Sequence, residues 1–284
     1  TATESIARFN DTATDYNEDI TIDGVTATLQ VGPNTTSVSI TGLEGDISGF
    51  VSFGGNFAFE QVGADVDVVA SSAFAQVTAG AFEAGVTNGE LALRLTAAGM
   101  ALTVSGSAHL VGGDFASITA TEAIARFNDT ATDFNEDITI DGVTATLEVG
   151  PNTTSISVTG LEGDISGFVT FGGNFAFEQV GADVDVVASD AFARVAAGNF
   201  EAGLENGQLA MRLTAAGMAM TASGSVRVVG GDFASITATE AIARFNDTAT
   251  DYNEVITIDG VTATLEAAPG VNSNCCRMRL IENV

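Results

Sequence analysis

One feature limits what this chain can fold into before any other. Residues 1–118 are spelled again as residues 119–236, with nineteen mismatches between the two copies. A third copy starts at Thr237, follows the pattern to Glu266, and gives way to the unrelated residues 267–284. The opening TATESIARFN returns as TATEAIARFN at Thr119 and Thr237, so both ends fall out of phase and the chain reads as an excerpt from a longer array. A fixed period is the mark of architectures in which neighbouring units supply each other's core. No Pro- or Ser-rich spacer separates the copies, because GGDFASITATEAIARF runs straight through the boundary.

Inside each period the pattern is strand-like. In ITIDGVTATLQV, an Asp23-Gly24 turn pairs Ile22 with Val25 and Ile20 with Ala27, leaving Thr21 opposite Thr26 and the apolar residues on one face. A second hairpin is expected in FEAGVTNGELALRL, turning at Asn88-Gly89 so that Val86 meets Leu91 and Phe82 meets Leu95. On its other face Glu83 would meet Arg94 and Thr87 would meet Glu90. The second copy has Glu205 and Gln208 at the last two positions, as if a carboxylate had moved across the pair. From Leu102 to Leu110 the changes between copies imply alternation of buried and wet positions. A recurring Gly-x-Phe tag divides the period into units of about thirty residues, with Phe57, Phe82 and Phe115 as expected core anchors. The fold class expected is therefore all-β, an elongated antiparallel tandem-repeat structure built from hairpins and solenoid-like. A string of β-sandwich domains, one per period, is the alternative.

Charge narrows the partners. Nine arginines and no lysine stand against 37 acidic residues, giving a net charge of −28. Nucleic acid and anionic membrane surfaces both need clustered cations and are excluded as partners. No apolar run approaches the roughly 18 residues of a membrane span, and no signal-peptide pattern precedes the repeat. Such self-repelling charge is best tolerated where salt screens it or divalent cations bind it, as in brine or a calcium-rich cell exterior. Cys275 and Cys276 are adjacent and outside the repeated region, so they build no disulfide framework.

The sharpest candidate site is NDTATDYNEDITIDG. It gathers Asp11, Asp15, Asn17, Glu18 and Asp19 ahead of Asp23, and its second copy gathers Asp129, Asp133, Asn135, Glu136 and Asp137 ahead of Asp141. Ca²⁺ takes six to eight oxygen ligands, which such a loop could supply. The spacing is not that of an EF-hand, and the third copy has Val255 in place of Asp19 and Asp137. A solvated acidic hairpin loop is the alternative.

Other motifs are weaker. FGGNF and VGGDF lack the Lys and following helix of a phosphate loop. The single histidine, His109, is Arg227 in the next copy, which leaves no base for a Ser or Cys triad. Glu44 with Asp46, or Asp65 with Asp67, could serve as glycosidase carboxylates, although an enzyme has little use for the same pair in every copy. Sequons stand at Asn10, Asn34, Asn128, Asn152 and Asn246.

Long near-identical repeats, acidic charge without lysine, TNGELALRL-like strands and Asp/Asn-rich loops together resemble the repeat regions of giant bacterial extracellular proteins, the repetitive adhesins and RTX-type surface proteins. The resemblance spans most of residues 1–266. The calcium-binding nonapeptide GGxGxDxUx does not occur, so no ligand set carries over. The resemblance implies a secreted or surface-anchored spacer, filament or matrix component that contacts neighbouring repeats, further copies of itself or surface glycans. A carboxylate-dependent hydrolase and a self-assembling filament subunit are the competing functions.

Overall fold

A computed structural model describes residues 1–230 and 235–271, and the expectations for Cys275, Cys276 and the terminal segment lie outside that range. The described residues form nineteen strands and no helix. In the first copy these are β1 (Glu4–Asn10), β2 (Tyr16–Ile22), β3 (Val25–Val31), β4 (Thr35–Ile47), β5 (Val51–Val62), β6 (Asp65–Ala79), β7 (Phe82–Thr96) and β8 (Gly99–Gly112). The second copy repeats them as β9 (Ala116–Asn128), β10 (Phe134–Ile140), β11 (Val143–Val149), β12 (Thr153–Ile165), β13 (Val169–Val180), β14 (Asp183–Ala197), β15 (Phe200–Thr214) and β16 (Gly217–Gly230). The third adds β17 (Ser235–Asn246), β18 (Tyr252–Ile258) and β19 (Val261–Ala267). Strand β9 runs through the boundary between copies, as the absence of a spacer requires.

Thirteen strands join in the order β1-β4-β5-β6-β7-β8-β9-β12-β13-β14-β15-β16-β17, and the other six pair as hairpins β2-β3, β10-β11 and β18-β19. The all-β, hairpin-built repeat fold is thus the observed one. Each Asp-Gly hairpin has the expected register: Ile22 faces Val25 and Ile20 faces Ala27. Asp141 and Gly142 have φ of 50° and 83°, the left-handed pair that a two-residue turn needs to match strand twist. The Thr21 and Thr26 hydroxyls share a 2.8 Å hydrogen bond across the outer face.

Two compact units emerge, and they do not coincide with the sequence period. One comprises Thr1–Val77, Val86–Ser105 and Arg126–Asn152; the other comprises Thr78–Gly85, Gly106–Ala125 and the chain from Thr153 onward. In the first unit, hairpin β10-β11 folds over β5 to β8. Ile138, Ile140, Val143, Ala145 and Leu147 close on Ala58, Val69, Ala92 and Ala101. In the second, Ile256, Ile258, Val261, Ala263 and Leu265 of β18-β19 close on Ala176, Val187, Ala210 and Ala219. The sheet beneath uses mostly alanine because the hairpin fills the space with larger side chains, and dense interiors alternate large against small.

Several expectations fail at one place. Asn88-Gly89 makes no hairpin, because Phe82–Thr96 is a single strand. In the second copy the register of β15 on β16 slips between Glu205 and Gln208, so Asn206-Gly207 is a bulge. Asn88 and Asn206 do take the left-handed φ of 53° and 51° that a turn would need. One such residue inside a strand adds a bulge when both flanking halves stay paired to the same neighbour, as they do here. Phe82 and Leu95 therefore lie at opposite ends of roughly 40 Å of strand, and Val86 does not face Leu91. Glu205 and Gln208 face Ser225 and Ser223, so no carboxylate crossed a pair. Glu83 Oε1 accepts from His109 Nε2 at 3.0 Å, not from Arg94.

The phenylalanine anchors are also corrected. Phe57, Phe82 and Phe115 are 37%, 40% and 67% exposed. Phe57 stands on the face opposite its neighbour Ala58, and only the alanine side is roofed by a hairpin. Nor does β8 alternate: it is half-buried along nearly all its length, since one face meets the hairpin and the other meets only neighbouring side chains.

Candidate functional site

The most elaborate chemistry lies where a hairpin of one copy grips the sheet of the copy before it. Seven residues at ~3.4 Å reach about 24 Å, which equals five inter-strand steps at ~4.8 Å. That is the span from β8 to β1 in the sheet order. Polar groups hold the hairpin at both ends of this span. At its tip, Asp141 pairs with Arg8 and accepts from the Ser37 hydroxyl at 3.4 Å. At its base, Arg94 donates to Asp67 through Nε and Nη2 at 2.8 Å each, and through Nη1 to Glu136 at 2.5 Å. Hydrogen bonding to Asp67 holds the Arg94 guanidinium above its ordinary range, against the opposing effect of burial. The second unit repeats the base with Arg212, Asp185 and Glu254, and Arg212 also lies 6.0 Å from the centre of the Tyr252 ring.

Two further grips use the backbone. Met100 N–H donates to Asp129 Oδ1 at 2.6 Å while Asp129 N–H donates to Met100 O at 3.2 Å. The approach needs Gly99, at φ 140°, because a Cβ there would run into the Asp129 carboxylate. The Thr103 hydroxyl donates to Glu148 O and accepts from Glu148 N–H, both at 3.1 Å. Asp247 with Met218 and Thr221 with Glu266 repeat both contacts.

Each hairpin is set on its stalk by a buried asparagine. Asn128 Nδ2 donates to Thr132 O at 2.7 Å and Gly150 O at 2.8 Å, and its Oδ1 accepts from the Thr130 amide and hydroxyl at 2.8 Å each. Asn10 makes the same four bonds, and Asn246 does so with Ala267 O, the counterpart of Val149 O, as its second acceptor. In the sequence these three stand out only as sequons. The signal available was N-D-T-A-T recurring unchanged ahead of every hairpin. Their amide nitrogens point inward, so as folded they offer no free amide to a glycan.

The acidic residues chosen from sequence separate along the hairpin. Asn17, Asp19, Asn135 and Asp137 lie on the outer face, where Asp19 accepts from Thr28 and Asp137 from Thr146 at 2.7 Å. Glu18 and Glu136 point to the inner side. Asp11, Asp15, Asp129 and Asp133 sit in the preceding loop, all exposed. Among the described residues, no group of three or more His, Cys, Asp or Glu side chains gathers around a point that could hold a metal ion. Of the carboxylates weighed for hydrolysis, Asp46 caps a turn by accepting from Gly49 N–H at 3.0 Å, and Asp67 is taken by Arg94.

No family model matches the chain. Neither a curated protein nor a solved structure does.

Beneath the hairpin, cross-strand neighbours Arg8, Ser37, Glu60 and Asp67 form a polar row. Burial first, then the neighbouring Asp67 carboxylate, pushes the Glu60 carboxyl above its ordinary 4.5, while Arg8 pulls it down. A raised acid keeps its proton in the native state where the unfolded chain has lost it, so stability falls as pH rises through the interval above 4.5. Glu60→Gln is expected to raise the melting temperature at pH 7 and to lose that advantage below pH ~4, where the unfolded carboxyl is also protonated. Thermal melts at the two pH values check this.

The opposite face of the sheet is open and apolar. In the second unit Ile156, Phe177, Val186, Met211, Met220 and Phe245 lie side by side across six strands. Next to this row, Phe175, Ala188, Leu204, Leu209 and Ala222 line a groove of about 400 Å³.

Proposed function

We propose that the chain is a structural repeat protein of the cell exterior, a spacer or adhesive extender whose successive copies are interlocked by hairpins. One observation carries this: Phe134 to Val149 belong to the second sequence copy, yet they roof strands of the first. A hairpin that covers its neighbour's sheet cannot be satisfied by its own repeat. Such repeats gain stability by being in tandem. The net charge of −28 without lysine suits a salt-rich exterior, where screening lowers self-repulsion. Calcium is not required by this reading, because Asp129, Glu136 and Asp137 each hold a protein partner already. Turnover is not required either, since Asp46 and Asp67 are committed to a turn and to an arginine.

Each full period contributes six strands to the main sheet, as β9 and β12 to β16 show. An extender therefore expects every added period to lengthen the particle by roughly 29 Å, six steps of ~4.8 Å. Small-angle scattering of chains with one, two and three extra periods measures it. Growth of the maximum dimension as the cube root of mass would contradict the proposal.

Self-assembly is a second reading, favoured by the unroofed face on which exposed Ile156 and Phe177 continue into half-buried Met211 and Met220, since contiguous accessible apolar surface marks association sites. Sedimentation over a range of concentrations tests it, with a mass fixed at the monomer value as the contrary result.

A further inference from the structure

The first hairpin, β2-β3, nearly repeats the sequence of its two counterparts, but among the described residues its side chains join neither buried core. Ile22 and Val25 are 68% and 74% exposed, whereas Ile140 and Val143 are each 2% exposed. The difference is one of place, because β1 stands at the end of the sheet order and no strand lies beyond it among the described residues. β1 thus presents an unpaired edge, with Phe9 70% exposed, while its hairpin overhangs with an apolar underside. Among the described residues its polar grips are also unused. Asp11, Glu18 and Asp23 occupy the positions at which Asp129, Glu136 and Asp141 hold Met100 N–H, Arg94 and Arg8.

We infer that β1 and the β2-β3 overhang form a docking site for the end of another β-sheet of this same repeat, one terminating in a strand like β8. This deepens the proposed extender function and rests on it. The occupant is specified by what the two filled sites contain. It must bring alanine and valine for Ile20, Ile22, Val25 and Leu29, an arginine to Glu18 and a second arginine to Asp23. It must also bring a glycine-preceded amide to Asp11 and a threonine hydroxyl to the Gln30 backbone, as Gly99-Met100 and Thr103 do in the first unit. Its last strand then pairs with β1 as β16 pairs with β17, which sets the residue equivalent to Leu102 beside Phe9 as Met220 sits beside Phe245. Charge complementarity selects this occupant over a generic apolar one: Glu18 and Asp23 at the rim of the underside disfavour any sheet lacking cations at the spacing of Arg94 and Arg8.

The test reads thiol reactivity in the full chain, carrying Cys275→Ser and Cys276→Ser. Val25→Cys is compared with Val143→Cys, first in the chain as it stands and then in a chain with residues 1–118 added once more ahead of Thr1, which recreates the junction at residues 118 and 119. In the original chain Val25→Cys reacts fast and Val143→Cys slowly. In the extended chain Val25→Cys slows on the order of 100-fold, to the level of Val143→Cys, because reaction then waits on local opening. Unchanged reactivity at Val25→Cys in the extended chain, with Val143→Cys still slow, overturns the docking site and leaves the interlocked pair intact. Fast reaction at Val143→Cys in both chains overturns the interlock as well.

Discussion

Leu147→Ala is expected to destabilise the protein by about 3 kcal/mol, in the middle of the range for leucine truncated in a close-packed core, whereas Leu29→Ala costs about 1 kcal/mol because the site is already open to solvent and truncation leaves no closed cavity. The two leucines lie in the same VTATL segment of successive copies, at the same place in the same hairpin. Leu147 is 0% exposed and Leu29 is 36% exposed. Local propensity, turn and register are shared, so any difference reports the sheet beneath Leu147 and nothing else. Leu265, also 0% exposed, should behave like Leu147. Denaturant melts of the three variants check the ranking, and equal losses at positions 29 and 147 would mean that the sheet adds nothing.

Asn128→Ala should cost about as much, ~3 kcal/mol, for a different reason. The side chain makes two donor and two acceptor bonds inside a 2% exposed site. Truncation leaves the Thr132 and Gly150 carbonyls and the Thr130 amide without their partner, and each unmet buried group costs about 1–3 kcal/mol. Asn128→Asp does not rescue it. The carboxylate can still accept from Thr130 but turns oxygen toward two carbonyls, where Nδ2 had donated. Thermal melts of both variants, set beside Asn34→Ala in an exposed turn, separate a buried latch from a general preference for asparagine.

What could be read in the sequence, and what could not, follows from the range of each signal. The Asp-Gly hairpins and the unspaced boundary at residues 118 and 119 are local patterns, and the structure has a hairpin at each of the first and a continuous strand through the second. Asn88-Gly89 is equally local and misleads, because a turn and a bulge use the same left-handed residue. Only the strands on either side decide between them. Phe57 misleads for a related reason. Its hydrophobicity is evident, but which face of the sheet receives a roof depends on a hairpin some 80 residues later in the chain. The acidic loop was conspicuous as a cluster, yet side chains alternate across a strand, so Glu136 turns to Arg94 while Asp137 turns to Thr146. Asn128 carried no compositional mark beyond its recurrence, and its role appears only when the stalk of the hairpin closes around it.

Native-state hydrogen exchange on Leu147→Ala probes the interlock most directly. Leu147 belongs to the second sequence copy but sits over β5 to β8 of the first. Interlocked repeats require protection to fall at Val69, Ala92 and Ala101, with Val187 and Ala210 under the third copy's hairpin keeping theirs. Loss confined to the second copy's own strands, with Val69 and Ala92 unchanged, would show that each period stands alone.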